Sequence, residues 1–110
     1  MPIRSYLGEL ELMVLLALVR LGDEAYGVPI ADELLHLAGR EVALGSIYAA
    51  LDRLERKAFV NSLLGERTPE RGGRAKRYFR ITPGGVRALK MSRNALTALW
   101  SGLPLLEGGR

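Results

Sequence analysis

Eight consecutive apolar side chains, Leu12 to Val19, constrain this chain more than any other feature. The run is far too short to cross a bilayer, which takes about 20 residues. It also makes a poor secretory leader, because Gly8, Glu9 and Glu11 interrupt its approach and Arg20, Asp23 and Glu24 follow it. Leu7, Leu10, Val14, Ala17, Leu18 and Leu21 recur at helical spacing. The spacing predicts a helix from about Ser5, whose side chain can cap it, to Leu21, with Gly22 as its stop. Leu12, Met13, Leu15, Leu16 and Val19 fill the other faces. A helix that is apolar nearly all round must be buried nearly all round. A chain of 110 residues is the size of one domain with a limited core, so a second subunit is expected to cover part of this helix.

Composition narrows the class. With 48% hydrophobic and 25% charged residues and no repeat or low-complexity tract, the chain reads as globular. The absence of cysteine excludes a disulfide framework and thiolate metal sites, and it fits a reducing cytoplasm as the expected location. The net charge of +4 is unevenly spread: −4 over residues 1–66, +8 over residues 67–93, and neutral from there on. Such a concentrated basic block points to a polyanionic partner. The plainer alternative is a solvated face with no partner.

The remaining elements follow from period and punctuation. A second helix is predicted over Tyr26–Leu37, with Pro29 in its first turn, Ile30, Leu34 and Leu37 on one side, and Gly39 as its end. Asp32 and Glu33 on its outer face would repel phosphate. A third helix is predicted over Leu44–Lys57, with Leu44, Ile47, Leu51, Leu54 and Ala58 as its core stripe. Strands are expected at Phe59–Leu64 and Lys76–Ile81, joined by a long basic loop whose Gly72-Gly73 pair suits a turn. Thr82 and Pro83 open a last helix, which Gly102 and Pro104 close. Its stripe of Val86, Leu89, Leu96, Trp100 and Leu103 resembles a heptad seam and calls for a partner helix from another subunit. The expected fold class is therefore mainly α with a small β-hairpin: a winged helix-turn-helix of three helices and a two-stranded wing. By this division residues 1–82 form the DNA-binding domain, residues 83–104 the dimerisation helix, and residues 105–110 a flexible tail.

The third helix is the candidate reader of double-stranded DNA. Gly45, Ser46 and Ala49 are small enough to let it approach base edges, and Arg53 and Arg56 lie further along. Tyr48 can donate to a phosphate or pack at the edge of the core, and the phosphate is favoured. Arg53 is more apt to hold a phosphate than a base, since most contacts go there. Arg56 can instead pair with Asp52 at i, i+4. In the wing, Arg71, Arg74 and Lys76 are expected to supply sequence-independent affinity. His36 stands alone and reads as a surface residue, with no ligand cluster for a metal. Neither glycine pair is followed by the Lys-Ser/Thr of a phosphate loop. No nucleophile, base and orienting group are seen together, so neither enzymatic activity nor a cofactor is expected.

These motifs, taken together, resemble one family. The segment Leu44-Gly45-Ser46-Ile47-Tyr48-Ala49-Ala50-Leu51-Asp52-Arg53-Leu54-Glu55 is similar to the recognition-helix signature of PadR-like regulators. Tyr26-Gly27-Val28-Pro29-Ile30 resembles that family's Tyr-Gly-x-x-Ile opening of the second helix, and Lys76 to Gly85 resembles its wing strand and the Thr-x-x-Gly entry to its C-terminal helix. The resemblance spans about residues 7–90. It implies a dimer built by the first and last helices, a dyad-symmetric operator, repression as the usual outcome, and, for some members, release by a small aromatic molecule. Ala49 departs from the pattern, since many relatives carry proline there. Alanine favours the helix, so the departure bears on base preference and not on the fold. The chain reads as one of the family's shorter forms, with a single helix expected after the wing and no added effector domain expected.

If an effector exists, the expected place is the dimer centre, where Trp100 from each subunit would converge, walled by Met13, Leu16, Leu96, Leu99 and Leu103. The alternative is an indole pair that fills the dimer core. An alternative function is a winged-helix protein-interaction module without DNA binding, against which the basic block argues. RNA is a weaker option, because no aromatic stacking set is seen.

Overall fold

The computed structural model describes residues 7–65 and 76–106. Ser5, Arg71 and Arg74 lie outside these described residues. Helix α1 (Glu9–Leu21) begins later than the apolar spacing predicts. Gly8, extended at φ −69° and ψ 168°, is its N-cap, and the Gly8 N–H donates to Glu11 Oε1 at 3.0 Å. The start is thus set by the glutamate three residues on, reaching back as in a capping box. Gly22, at φ 61°, stops α1 as expected. A single 3-10 turn, Gly22–Glu24, leads to α2 (Gly27–Ala38). Gly39 ends α2 in the left-handed region at φ 67°, where a side chain would be strained.

Helix α3 (Leu44–Arg56) follows, then β1 (Val60–Leu64) and β2 (Arg77–Ile81), antiparallel with Val60 opposite Ile81 and Leu64 opposite Arg77. Helix α4 (Pro83–Trp100) opens on the predicted cap, Thr82 Oγ1 accepting from Gly85 N–H at 3.1 Å. The arrangement is the expected mainly helical fold with one two-stranded hairpin.

The three first helices enclose the core, and the hairpin closes one side of it. Val14, Leu15 and Leu18 of α1 meet Ile30 and Leu34 of α2 and Ile47, Ala50, Leu51 and Leu54 of α3, with Val60 and Phe79 from the hairpin. The Phe79 N–H donates to the Ala25 carbonyl at 2.9 Å, which ties β2 to the turn between α1 and α2. The expected α3 stripe needs correction. Leu44 and Ala58 are exposed, and Ala50 is buried in their place. The buried set 47, 50, 51 and 54 is the i, i+3, i+4, i+7 stripe, while Leu44 sits in the first turn and Ala58 lies past the helix end. Leu37, expected on the inner side of α2, is also exposed.

Ala58 carries a φ of 64°, a left-handed conformation that costs an L-residue about 1–2 kcal/mol. Its backbone is held there by its N–H to the Glu55 carbonyl at 2.9 Å and by Thr82 Oγ1, which donates to the Ala58 carbonyl at 2.7 Å. Ala58→Gly is expected to stabilise the fold by about 0.5–1 kcal/mol after the entropy that glycine loses. Thermal unfolding checks this: the midpoint should rise by roughly 2–8 °C, and an unchanged midpoint would count against strain at this residue.

Helix α1 is only partly covered by its own chain. Leu16 and Val19 are each 47% exposed, where the all-round apolar pattern demands cover. Leu89 of α4 packs against the core with Ile81, but from Arg93 to Leu106 every residue is exposed. Among the described residues, no helix is long and apolar enough to cross a membrane.

Candidate nucleic-acid interface

The outward face of α3 is the complement of its buried stripe. Gly45, Ser46 and Ala49 are exposed in its first half, and Asp52, Arg53 and Arg56 in its second. Small side chains at the leading end permit close approach to a groove, and arginines further along can meet phosphates. Tyr48, between these faces, is half-buried. Its ring lies over Gly27 so closely that a Cβ on Gly27 would collide with it. The glycine of the Tyr26-Gly27 motif and the tyrosine of α3 therefore meet, and this contact sets how α2 and α3 pack.

The first half of α1 holds the far end of α3. Glu11 is 4% exposed. Its Oε2 accepts from Arg53 Nε at 3.0 Å, and its Oε1 accepts from Lys57 Nζ at 2.9 Å as well as from Gly8 N–H. Burial by itself would push the Glu11 carboxyl up, but the hydrogen bonds from Lys57, Gly8 and Arg53 outweigh it and hold the pKa below the usual carboxylate value. A carboxyl lowered by folding contributes stability that is fully present above its unfolded pKa and is lost as pH falls through the folded one. Wild-type chain is therefore expected to lose more stability on acidification below the ordinary glutamate range than Glu11→Gln does. Urea unfolding of both across pH 7 to pH 3 measures this, and parallel pH curves would refute it.

The wing base is organised by side chains that pattern reading did not find. Arg77 donates to Glu55 Oε1 at 2.7 Å and lies 3.5 Å from Asp52 Oδ1. Asp52 is thus met from β2 by Arg77, where the helical spacing leaves a pair with Arg56 as one of two open alternatives. Lys76 Nζ donates to Tyr26 Oη at 3.2 Å and stands 4.5 Å from the centre of that ring. Tyr26 and Tyr78 meet edge to face with centroids 5.3 Å apart. Lys76 therefore anchors the wing base on the start of α2, while Arg71 and Arg74 fall outside the described residues. Glu11 was visible in one respect: an acid inside an apolar helix, with Arg53 and Lys57 at i, i+4 on another, is a pattern that invites pairing.

The six residues expected around an effector do not form one enclosure within a single chain. Met13 and Leu16, with Val19, Leu34 and Leu37, line an apolar groove of about 320 Å³ between α1 and α2. Leu96 and Trp100 line a separate depression on α4 with Thr97 and Ser101. Leu99 and Leu103 are exposed. His36 is exposed, its Nδ1 2.8 Å from the Asp32 carbonyl oxygen. Among the described residues, no group of three or more His, Cys, Asp or Glu is placed to hold a metal.

Comparison with known proteins agrees with this geometry. Residues 15–91 match the model of the transcriptional regulator PadR-like family. No curated protein sequence matches the chain. A transcriptional regulator from Clostridium thermocellum is 25% identical and superimposes with a TM-score of 0.70, over 83% of this chain and 82% of that one. A PadR family transcription regulator from Clostridium difficile shares the fold at a TM-score of 0.71 and 22% identity, over 84% and 92% of the two chains. A PadR family regulator from Eggerthella lenta does so at 0.69 and 24% identity, over 89% and 83%.

Proposed function

The chain belongs to the PadR-like family of transcriptional regulators, and from that membership we propose that it is a homodimeric, sequence-specific repressor that binds a dyad-symmetric operator in double-stranded DNA. The observation that carries this reading is the outward face of α3, where Gly45, Ser46 and Ala49 stand exposed ahead of Arg53. Residues 1–82 carry the DNA contacts: Gly45, Ser46 and Ala49 at the bases, Tyr48 and Arg53 at phosphates, and Arg71, Arg74 and Lys76 along the flanking backbone. Residues 83–104 carry the dimer contacts, and residues 105–110 are a tail. The cytoplasm is its place of action.

Dimerisation is supported by the apolar surface that one chain leaves open. Leu16 and Val19 on α1, and Leu96, Leu99 and Trp100 on α4, are between 45% and 75% exposed. A two-fold pair would set its recognition helices roughly 34–36 Å apart, one turn of DNA. Leu96→Asp with Trp100→Asp is expected to convert a dimer into a monomer in sedimentation at micromolar concentration, and to weaken operator binding by more than tenfold. A wild-type chain that sediments as a monomer would refute the dimer. A small planar aromatic effector between the two Trp100 side chains is the proposed control, read as saturable quenching of Trp100 fluorescence with weaker operator binding.

Selection of bound duplexes from a random pool tests the DNA reading. A recovered palindrome is expected, whose sequence changes with Ser46→Ala. The absence of any enriched duplex would overturn the reading.

A further inference from the structure

Glu11 is the charged side chain that the described fold buries, and contacts with bases and phosphates do not use it. We propose that Glu11 is a positioning residue for DNA binding: it grips Arg53 by Nε and so fixes the guanidinium plane in the orientation that meets a phosphate. This rests on the reading that α3 is the helix that meets DNA.

The geometry separates the work of the two carboxylate oxygens. Oε1 takes Lys57 Nζ at 2.9 Å and Gly8 N–H at 3.0 Å, so the carboxylate is neutralised and held without Arg53. Oε2 takes Arg53 through Nε at 3.0 Å. One carboxylate meets two cations here, so Glu11, Lys57 and Arg53 together carry one net positive charge, which a phosphate can meet. The Glu11 side chain is 6% exposed and that of Arg53 is 45% exposed, so the pair runs from the interior outward. A guanidinium is planar, with its donors in a rigid fork. Holding Nε therefore fixes where the remaining N–H groups point. A side chain ordered before binding loses less freedom on meeting its partner, which strengthens the contact.

The test uses the full chain and a duplex recovered by it from a random pool, titrated at several salt concentrations below every variant's unfolding midpoint. Arg53→Ala is expected to weaken binding about tenfold and to flatten the slope of log affinity against log salt by about one unit. Glu11→Gln, which keeps the shape and removes the charge, is expected to weaken binding about threefold to tenfold when Arg53 is present. In the Arg53→Ala background it is expected to change nothing. Glu11→Asp, which draws the carboxylate back, gives the same non-additivity and serves if the glutamine variant does not fold. Equal losses in both backgrounds would assign Glu11 a merely structural role and overturn the proposal. Unchanged affinity and slope in Arg53→Ala would overturn it while leaving DNA binding intact. If wild type enriches no duplex, the reading beneath it fails and the proposal falls with it.

Discussion

Phe79→Ala is expected to remove about 3–5 kcal/mol of stability. Phe79 is fully buried and is the largest such side chain among the described residues. It is the single aromatic side chain through which β2 enters the core made by α1, α2 and α3. The neighbouring backbone cannot readily close on the vacated space, because the Phe79 N–H is held by the Ala25 carbonyl and β2 is held in register by β1. Its outer surroundings include the Arg77 guanidinium, 4.9 Å from the ring centre, so some cation–π attraction is lost with the ring. Domains of this kind hold only about 5–15 kcal/mol in total. The variant should therefore unfold at a much lower urea concentration with a similar slope. A loss under about 1 kcal/mol would mean that the core repacks around the gap.

Gly85→Ala is expected to cost about 3 kcal/mol, the upper end of what overpacking usually costs. A Cβ at Gly85 would collide with the Phe59 carbonyl oxygen and lie 2.6 Å from Ile81 Cγ1. That carbonyl cannot simply swing aside. It accepts the Thr82 N–H at 3.0 Å, and the Phe59 N–H is bound to the Leu54 carbonyl at 2.9 Å. Relief must come from moving the start of α4, which also disturbs the Thr82 cap. Against this, alanine gains up to about 1 kcal/mol over glycine in a helix. Gly84→Ala supplies the control. Its nearest neighbour would be the Ala58 carbonyl oxygen at 3.5 Å, an ordinary contact, so that variant should be neutral or slightly more stable. Thermal denaturation compares the two, and equal midpoints would refute the argument. Because the clash acts at the root of α4, Gly85→Ala is also expected to weaken operator binding where Gly84→Ala does not.

What the sequence made legible was whatever local chemistry decides. Gly22 and Gly39 stop their helices because the chain must turn through positive φ there, and Thr82-Pro83 starts α4 by a cap that needs only neighbouring residues. The outward set Gly45, Ser46, Ala49 and Arg53 followed from the helical period, since exposure on a packed helix is periodic. What failed depended on packing. The start of α1 moved to Glu9 because the Glu11 side chain takes the Gly8 amide. The partner of Asp52 comes from Arg77, on a strand beyond the wing, and no spacing rule reaches that far. Leu44 falls at the margin of a stripe that Ala50 completes, and only the angle between helices decides between them. Lys76 carries the charge that drew attention to it, but the ring of Tyr26 beside it depends on tertiary contact.

Helix α1 works mechanically as a crank. One side carries Glu11, hooked to the end of α3, and its outer side carries Leu16 and Val19. No glycine or proline interrupts its 13 residues, so Glu11 and Val19 ride about 12 Å apart on one unbroken rod. The outer apolar side chains are thus joined, along one helix, to the carboxylate that meets Arg53 and Lys57 of the α3 end. If a second copy covers Leu16 and Val19 and α3 meets DNA, both as proposed, then the rod that docks the partner is the same rod whose Glu11 holds Arg53 and Lys57.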